Sequence, residues 1–258
     1  MSGDDLLYEE RDRIATITFN RPGARNAMTW EMYDGLLKAC ERIDASEHIR
    51  VAVLRGAGGK AFVAGTDITQ FLKFETAEDG LAYERRIEAV LGRLEGVRVP
   101  TIAVIDGYAV GGGLGLAAAC DLRICTPEAK FGLPVARTLG NCLSMRSYAR
   151  LADLIGSARA LRMIYTAGFI SADEALAAAL ATEIVPADGL DGRVRELCEE
   201  LCSRAPLTMW ASKQAIRRIR DSRLPDGDDL IAACYGSDDF HEGVRAFVEK
   251  RQPQWRGK

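Results

Sequence analysis

Two segments of the sequence each run from apolar residues into a turn of small ones. Residues 61–68 read Ala-Phe-Val-Ala-Gly-Thr-Asp-Ile, and residues 107–116 read Gly-Tyr-Ala-Val-Gly-Gly-Gly-Leu-Gly-Leu. Small residues where a strand meets a helix let a ligand approach the backbone, and the first helical turn offers unpaired N–H groups. Two such turns that face each other would hold one carbonyl oxygen between two N–H donors. The pattern therefore predicts an oxyanion hole.

Strands and helices that alternate along the first half of the chain would position these two turns. Side-chain alternation predicts a hairpin at 6–20, and Thr29 is predicted to cap a helix that ends near Asp44. The other predicted elements are strands at 51–54, 61–63, 101–105, 121–125 and 184–185, and helices at 81–94 and 112–119. Beyond about residue 142 the pattern is otherwise helical. We therefore predict an α/β core over 1–200 and a helical C-terminal region over 201–258.

Composition argues against several classes of protein. Of the 258 residues, 48% are hydrophobic and 28% are charged, and the net charge of -3 argues against a nucleic-acid partner, since such binders are basic. No apolar stretch approaches the roughly 20 residues that span a membrane, and the acidic N-terminus does not resemble a signal peptide. The two histidines and seven cysteines have no metal-site spacing. We expect a cytoplasmic protein that binds neither a metal ion nor a membrane.

The second turn also matches the glycine pattern of dinucleotide-binding folds. Gly113-x-Gly115-x-x-Ala118 follows a predicted strand and opens a predicted helix. However, that helix is too short for a crossover between parallel strands, and Asp121 arrives too early to bind a ribose. A nicotinamide oxidoreductase is therefore the less favoured interpretation.

Three further segments carry recognisable motifs. Residues 20–28 read Asn-Arg-Pro-Gly-Ala-Arg-Asn-Ala-Met, residues 121–124 read Asp-Leu-Arg-Ile, and residues 242–251 read Glu-Gly-Val-Arg-Ala-Phe-Val-Glu-Lys-Arg. Together with the two turns, these segments resemble the signature of the enoyl-CoA hydratase/isomerase (crotonase) superfamily over nearly the whole chain. The resemblance implies a crotonase-like (ClpP/crotonase) α/β spiral of ββα units with a helical C-terminal trimerisation region. It also implies a homo-oligomer, either a trimer or a dimer of trimers.

The resemblance implies a substrate and the residues that bind it. The N–H groups of Thr66 and Gly112 would hold the thioester oxygen of an acyl-CoA, with coenzyme A entering as part of the substrate and not as a permanent cofactor. Phe247 and Lys250 would reach coenzyme A bound to a neighbouring subunit. The remaining positions implied to contact substrate or coenzyme A are Ala24, Arg25, Ala64, Asp67, Ile68, Thr69, Val135 and Ala136.

Both acid–base residues of the superfamily's hydratases are missing from this chain. Those enzymes use two glutamates, in Gly-Gly-Gly-x-Glu and Phe-Gly-x-Pro-Glu, to position water and move protons. Gly115 and Val135 occupy the two places here. Hydration by two carboxylates is therefore not expected. The prediction is an acyl-CoA enzyme of the hydratase/isomerase family that stabilises a thioester enolate but has a non-standard reaction.

Side chains that follow the second missing glutamate are candidates to replace the acids. Arg137 or Asn141 would orient the carboxylate that a decarboxylase removes. A hydrolase would need Ser144, Cys142 or an acid from Glu75–Glu88 as nucleophile or base. Decarboxylation and hydrolysis therefore stay open as alternative reactions.

Each of these residues also has a purely structural interpretation. Arg137 would be a surface or trimer-contact residue, Asn141 a turn or helix-cap residue, and Ser144 an ordinary helix residue. The acidic residues of the neighbouring helix are predicted to form a solvated face, and they are Glu75, Glu78, Glu84 and Glu88. With no acid–base residue at all, the chain would be a catalytically silent CoA-binding protein.

Overall fold

The buried apolar runs of the sequence become short strands. The structure, a computed structural model, describes residues 5–258. Its strands are β1 Leu6–Arg11, β2 Ile14–Phe19, β3 Val51–Gly56, β4 Ala61–Ala64, β5 Thr101–Ile105, β6 Tyr108–Val110, β7 Leu122–Cys125, β8 Lys130–Gly132, β9 Phe169–Ser171 and β10 Glu183–Ile184. They form a six-stranded sheet in the order β1-β2-β3-β5-β7-β10 and a four-stranded sheet in the order β4-β6-β8-β9. Neighbouring strands are parallel except in the β1–β2 hairpin and the β8–β9 pair.

Helices connect many of these strands and make up most of the chain after β8. They are α1 Trp30–Ala45, α2 Ala77–Glu95, α3 Gly112–Ala119, α4 Val135–Thr138, α5 Met145–Ile155, α6 Ser157–Thr166, α7 Ala172–Ala177, α8 Leu190–Cys202, α9 Pro206–Asp221, α10 Asp228–Tyr235 and α11 Asp238–Val248. Two short 3-10 helices, Pro22–Ala24 and Ile68–Lys73, lie in the connections before α1 and α2.

One hydrophobic core joins the sheets to the last helices of the chain. It contains Phe19 of β2 and Phe62 of β4, and it also contains Tyr235 of α10 and Phe240 of α11. In contrast, α9 buries none of its own residues. The helical region predicted over 201–258 therefore divides into a part that packs on the core and a part that does not. Its predicted start at residue 201 lies inside α8.

Most predicted elements are confirmed, including the hairpin, the buried strands and the helix that follows Thr29. The Thr29 side chain accepts a hydrogen bond from the Met32 N–H (3.3 Å) and caps α1 as predicted. The sequence does not predict β6, β8 or β9, because a run of three residues carries no periodic signal. The strand order differs from that of a doubly wound dinucleotide-binding sheet, which counts against the nicotinamide interpretation.

The seven cysteines are free thiols, six of them buried and Cys234 half-buried. Among residues 5–258, no group of histidine, cysteine and acidic side chains is arranged to hold a metal ion. No helix within the same residues combines the length and the apolar character that crossing a membrane requires.

Candidate active site

Two neighbouring parallel strands, β4 and β6, end at the two turns of small residues. The last residues of these strands pair with each other, so the turns that follow lie side by side at one sheet edge. Gly65 and Gly111 adopt left-handed backbone conformations, with φ of +97° and +56°, which favour glycine. The backbone continues into Thr66 after the first turn and into Gly112, the first residue of α3, after the second.

The backbone N–H groups of Thr66 and Gly112 belong to neighbouring residues of the two turns. A Cβ atom built on Gly112 would lie 3.7 Å from the Thr66 nitrogen. Within residues 5–258, neither N–H donates a hydrogen bond to the protein. For Gly112 this follows from its place at the start of a helix, where N–H groups have no intrahelical acceptor. The two donors predicted from the sequence are thus close together and available to an acceptor.

Two tyrosines hold the side chain of Thr66. Its Oγ1 atom lies 2.8 Å from the Tyr33 hydroxyl oxygen and 2.9 Å from the Tyr83 hydroxyl oxygen. Burial raises the pKa of both tyrosines well above their ordinary value, so both hydroxyls stay protonated near neutral pH. The sequence does not identify this pair, because each tyrosine reads as an ordinary buried aromatic residue of α1 or α2.

The two turns form part of the wall of a cavity of about 190 Å³. Apolar side chains dominate the wall, among them Phe71, Leu91 and Leu114. Gly115 and Val135, the residues that the sequence predicts at the two glutamate positions of the superfamily's hydratases, also line this cavity. Neither residue brings a carboxyl group to the cavity wall.

A carboxyl group nevertheless lines the cavity, and it comes from α2. Glu84 is only 5% exposed, which contradicts the prediction that the acidic residues of this helix form a solvated face. Glu75 and Glu78 are exposed as predicted. Glu84, Ile87 and Leu91 follow the helical spacing of a single buried face. That spacing is the signal in the sequence that could have identified Glu84 as a buried residue.

Each carboxyl oxygen of Glu84 accepts one hydrogen bond. The Tyr235 hydroxyl donates to Oε1 (2.6 Å), and the Ser144 backbone N–H donates to Oε2 (3.0 Å). Asn141 Nδ2 donates in turn to the Tyr235 hydroxyl oxygen (3.1 Å). Burial raises the pKa of Glu84 from 4.5 to about 7, although the hydrogen bonds from Tyr235 and Ser144 lower it. Glu84 therefore has both charged and neutral forms near neutral pH.

Two other acids of α2, half-buried Glu88 and buried Glu95, are paired with arginines. Arg150, only 3% exposed, binds both Glu88 and Glu95, and its Nε lies 2.8 Å from Glu95 Oε1. Arg220 donates a further hydrogen bond to Glu95 Oε2 (2.9 Å). Burial alone would raise the pKa of Glu95, but Arg220 and Arg150 lower it. Within residues 5–258, Glu84 forms no ion pair of this kind.

Four candidate replacement residues follow the second missing glutamate, and Asn141 is the one of these that lines the cavity. Its Oδ1 atom is buried and has no hydrogen-bond partner within residues 5–258. Ser144 caps α5, accepting from the Ser147 N–H (3.1 Å) and donating to Glu88 Oε2 (2.9 Å). Arg137 is exposed and lies outside the cavity wall. Cys142 is buried beside Asn141.

The positions implied to contact substrate or coenzyme A fall into several groups. Those that line the cavity are Ala64, Ile68 and Val135. Those exposed outside it are Ala24, Arg25, Thr69, Ala136 and Lys250. Asp67 caps the 3-10 helix that follows it, and its carboxylate lies 3.4 Å from Arg21 Nη2. Phe247 is half-exposed and lines the cavity of its own chain, so reaching a neighbouring subunit stays a prediction for Phe247 and Lys250.

A second cavity, of about 830 Å³, also reaches Glu84. Its wall mixes apolar side chains with polar and charged ones, which include Glu88, Ser144 and Arg146. It opens at the surface, because the exposed side chains of Arg85 and Asp226 belong to its rim. Among the described residues, Glu84 is the one that lines both cavities.

The chain is similar over nearly its whole length to proteins of one family. The family model described as Enoyl-CoA hydratase/isomerase matches residues 9–258. The short-chain-enoyl-CoA hydratase of Clostridium acetobutylicum is 33% identical over 98% of this chain and 97% of its own. The (E)-benzylidenesuccinyl-CoA hydratase of Thauera aromatica is 36% identical over 98% of this chain and 99% of its own.

Solved structures are similar to this chain as well. An enoyl-CoA hydratase/carnithine racemase from Magnetospirillum magneticum has a TM-score of 0.81 at 34% identity, covering 100% of this chain and 97% of its own. Methylmalonyl-CoA decarboxylase complexed with 2S-carboxypropyl CoA has a TM-score of 0.90 at 26% identity, over 100% of both chains. These similarities confirm the α/β fold that the sequence motifs imply.

Proposed function

The chain belongs to the enoyl-CoA hydratase/isomerase family, and we propose that it binds an acyl-CoA thioester and stabilises its enolate at Thr66 and Gly112. The observation that carries this proposal is the pair of neighbouring N–H groups, without a protein acceptor, in the wall of an apolar cavity. A thioester enolate concentrates negative charge on one oxygen, which preorganised donors stabilise. Coenzyme A enters with the substrate, so the proposal needs no permanent cofactor.

The expected size of this stabilisation supports an enzymatic role. One oxyanion-hole donor contributes about 2.7–4 kcal/mol in enzymes where it has been removed. The contribution is large because an apolar, water-excluding cavity strengthens each electrostatic contact. Tyr33 and Tyr83 hold Thr66 in place, so the donor needs no rearrangement when charge develops.

We do not assign hydration by two carboxylates to this chain. The positions where hydratases of the family carry glutamates, Gly115 and Val135, have no acid to supply. In the described part of the cavity wall, Glu84 provides the only carboxyl group. The similarity to hydratases therefore supports the thioester substrate and the enolate, whereas the reaction depends on groups that differ from theirs.

Decarboxylation is a second candidate, favoured by the similarity to methylmalonyl-CoA decarboxylase. Loss of carbon dioxide produces the enolate directly, so an oxyanion hole supplies much of the catalysis. Asn141 lines the cavity, but its Nδ2 already donates to Tyr235, and Arg137 lies outside. The described cavity wall therefore offers fewer free hydrogen-bond donors to a departing carboxylate than the two N–H groups that it offers to an enolate oxygen.

We also propose that the chain assembles as a trimer or a dimer of trimers. The support is α9, which exposes large apolar side chains and buries none of its own residues. Uncovered apolar surface of this kind is typical of protein interfaces.

Gly112→Ala tests the proposed oxyanion hole. The added Cβ would lie 3.0 Å from the Tyr33 hydroxyl oxygen and 3.2 Å from Thr66 Oγ1, which crowds the donors. We expect turnover of acyl-CoA thioesters to fall by about 10²-fold. The measurement is a rate panel with crotonyl-CoA, trans-3-hexenoyl-CoA and methylmalonyl-CoA.

Gly192→Ala is the control for this variant. Gly192 lies on α8, outside the cavity wall, and an added Cβ would meet no atom within 4 Å, so activity should be retained. Equal losses in both variants would contradict the assignment of the donor to Gly112. Binding of a thioester by the wild type, with no turnover of any panel member, would identify a catalytically silent CoA-binding protein.

A further inference from the structure

We propose that Glu84 is the acid–base residue of this site and moves a proton between carbons of the bound acyl chain. The inference rests on the proposed function, because it requires a thioester enolate held at Thr66 and Gly112. Glu84 lies on α2, outside both glutamate positions of the family signature, Gly115 and Val135.

The first reason is the position of the carboxyl group. Glu84 lines the same cavity as Thr66 and Gly112, so a thioester bound there places its acyl carbons in the space that Glu84 faces. The other polar side chains of the described wall belong to Thr66, Tyr83, Thr138, Asn141, Ser147 and Arg150. None of these is a base near neutral pH, since hydroxyl, amide and guanidinium groups do not accept a proton there. Glu84 is thus the base available to an α-proton.

The second reason is that Glu84 lacks the cationic partner that a buried acid with a purely structural role would have. A buried carboxylate is costly unless a cation compensates its charge. The fold pairs Glu88 and Glu95 with Arg150, but it gives Glu84 only uncharged donors. Buried, unpaired titratable groups in a cavity are characteristic of functional sites.

The third reason is the way that the carboxyl group is oriented. The Tyr235 hydroxyl and the Ser144 N–H each occupy one acceptor position of the two oxygens. A carboxylate oxygen has a further lone pair, which leaves Glu84 able to accept a proton from carbon. Asn141 holds the Tyr235 hydroxyl in turn. Tyr235 and Asn141 are therefore positioning residues for Glu84.

The second cavity gives Glu84 access to solvent. Polar and charged residues of its wall extend from Glu84, past Ser144 and Arg146, to the exposed rim. A proton held by Glu84 exchanges with water by this route, while the acyl chain occupies the apolar cavity. Deuterium from solvent therefore reaches the substrate through Glu84.

A single carboxyl group is sufficient to move a double bond. From a β,γ-unsaturated acyl-CoA, the Glu84 carboxylate takes a proton from Cα, and the C–H electron pair becomes part of a dienolate. Thr66 and Gly112 hold the dienolate oxygen. The neutral carboxyl group then gives the proton to Cγ, and the carbonyl re-forms with a double bond between Cα and Cβ. No water or other reactant is consumed, so the substrate class is β,γ-unsaturated acyl-CoA thioesters.

Isomerisation and deuterium exchange in D₂O test this role. We expect the wild type to isomerise trans-3-hexenoyl-CoA and to incorporate deuterium into it, and Glu84→Gln to lower both rates by at least about 10²-fold. Glu78→Gln is the matched control, because Glu78 is an exposed acid on the same helix. Its rates should equal those of the wild type.

A separate spectroscopic readout reports on the oxyanion hole. The infrared stretching frequency of a ¹³C-labelled butyryl-CoA carbonyl should fall on binding, equally in the wild type and in Glu84→Gln. Absence of this fall in the wild type would overturn the proposed function itself. A normal fall with undiminished rates in Glu84→Gln would overturn the role of Glu84 alone. A wild type that binds with the fall but neither isomerises nor exchanges would also overturn it.

Tyr235→Phe tests whether Tyr235 positions Glu84. It also provides a test of the proposal if the Glu84→Gln variant does not fold. The Tyr235 hydrogen bond lowers the pKa of Glu84. When the deuterium-exchange rate is plotted against pH, loss of this bond should therefore move the midpoint of the curve to higher pH. Other titratable groups that face Glu84 are unchanged in this variant, and they are Tyr33, Tyr83, Glu88, Cys142 and Tyr148. Tyr165→Phe, at an exposed position, is the control. A loss of stability without a shifted midpoint would mean that Tyr235 only packs.

Discussion

Glu84 is neutral or charged according to pH, and its two forms have opposite effects on the protein. Burial favours the neutral form, which fits the apolar surroundings of the cavity. Abstraction of a proton from carbon needs the charged form. Because the pKa of Glu84 is about 7, both forms are populated where the enzyme would work. The proposed chemistry therefore carries a cost in folding free energy.

This cost can be measured with Glu84→Gln. The folded-state pKa of Glu84 is raised from 4.5 to about 7, so its contribution to stability is fully present below pH 4.5 and is lost as pH rises through 7. The loss amounts to about 3 kcal/mol at most. Glutamine does not titrate, so the free energy of unfolding of the wild type should fall relative to Glu84→Gln between pH 5 and pH 8. Urea unfolding at both pH values measures it. A constant difference would show that Glu84 titrates normally.

Among the helices, α2 carries two acids, half-buried Glu88 and buried Glu95, that pair with the buried Arg150. Removing one partner of a buried ion pair costs about 3–5 kcal/mol. We expect the free energy of unfolding of Arg150→Met to be about 3 kcal/mol lower than that of the wild type at pH 7. This is the lower end of the range, because Arg220 still pairs with Glu95 in the variant. The pKa of Glu95 is lowered in the folded state, so this loss should shrink as pH falls below about 4.5. Chemical denaturation at several pH values measures it.

Arg162→Met provides the control for Arg150→Met. Arg162 pairs with Glu174 on the surface, where both side chains are at least half exposed. An exposed ion pair contributes about 0–1 kcal/mol, so this variant should be nearly as stable as the wild type. Similar losses in the two arginine variants would show that burial does not govern these ion pairs.

The elements also show what sequence alone can predict about this site. Thr66 and Gly112 come from local patterns, an apolar run followed by small residues. β4 and both turns lie where the sequence predicts them, whereas β6, which leads into the second turn, is not among the predicted strands. Glu84 was harder to assign, since its hydrogen-bond partners are far away along the chain. Ser144 lies 60 positions from it and Tyr235 lies 151 positions from it. Periodicity identifies the buried face of α2, but the partners of an acid on that face follow only from the fold.

At the scale of the whole molecule, the last helices have two different relations to the core. α10 and α11 close the site of their own chain through Tyr235 and Phe247. α9 instead exposes Leu207 (77%), Ile216 (71%) and Ile219 (58%). The exposed helix is therefore where the proposed trimer contact belongs, while the other two helices complete the cavity.

Ile216→Asp tests this assignment. A charge within an apolar interface is unfavourable unless it is paired, so the variant should dissociate to single chains while the wild type remains a trimer or hexamer. Sedimentation velocity measures the change. Leu176→Asp, at a 44% exposed apolar position on α7, is the control and should leave the assembly intact. Dissociation of both variants, or of neither, would contradict a contact centred on α9.

The distance between Glu84 and Tyr235 along the chain has a consequence for synthesis. A chain that emerges from the ribosome in order exposes α2 and both turns of small residues long before α10. Until α10 docks, Glu84 lacks the Tyr235 hydrogen bond and the burial that sets its pKa. A nascent chain would thus hold both turns of small residues with an ordinary, solvated glutamate. The proposed acid–base role of Glu84 therefore requires that α10 has been synthesised and has docked.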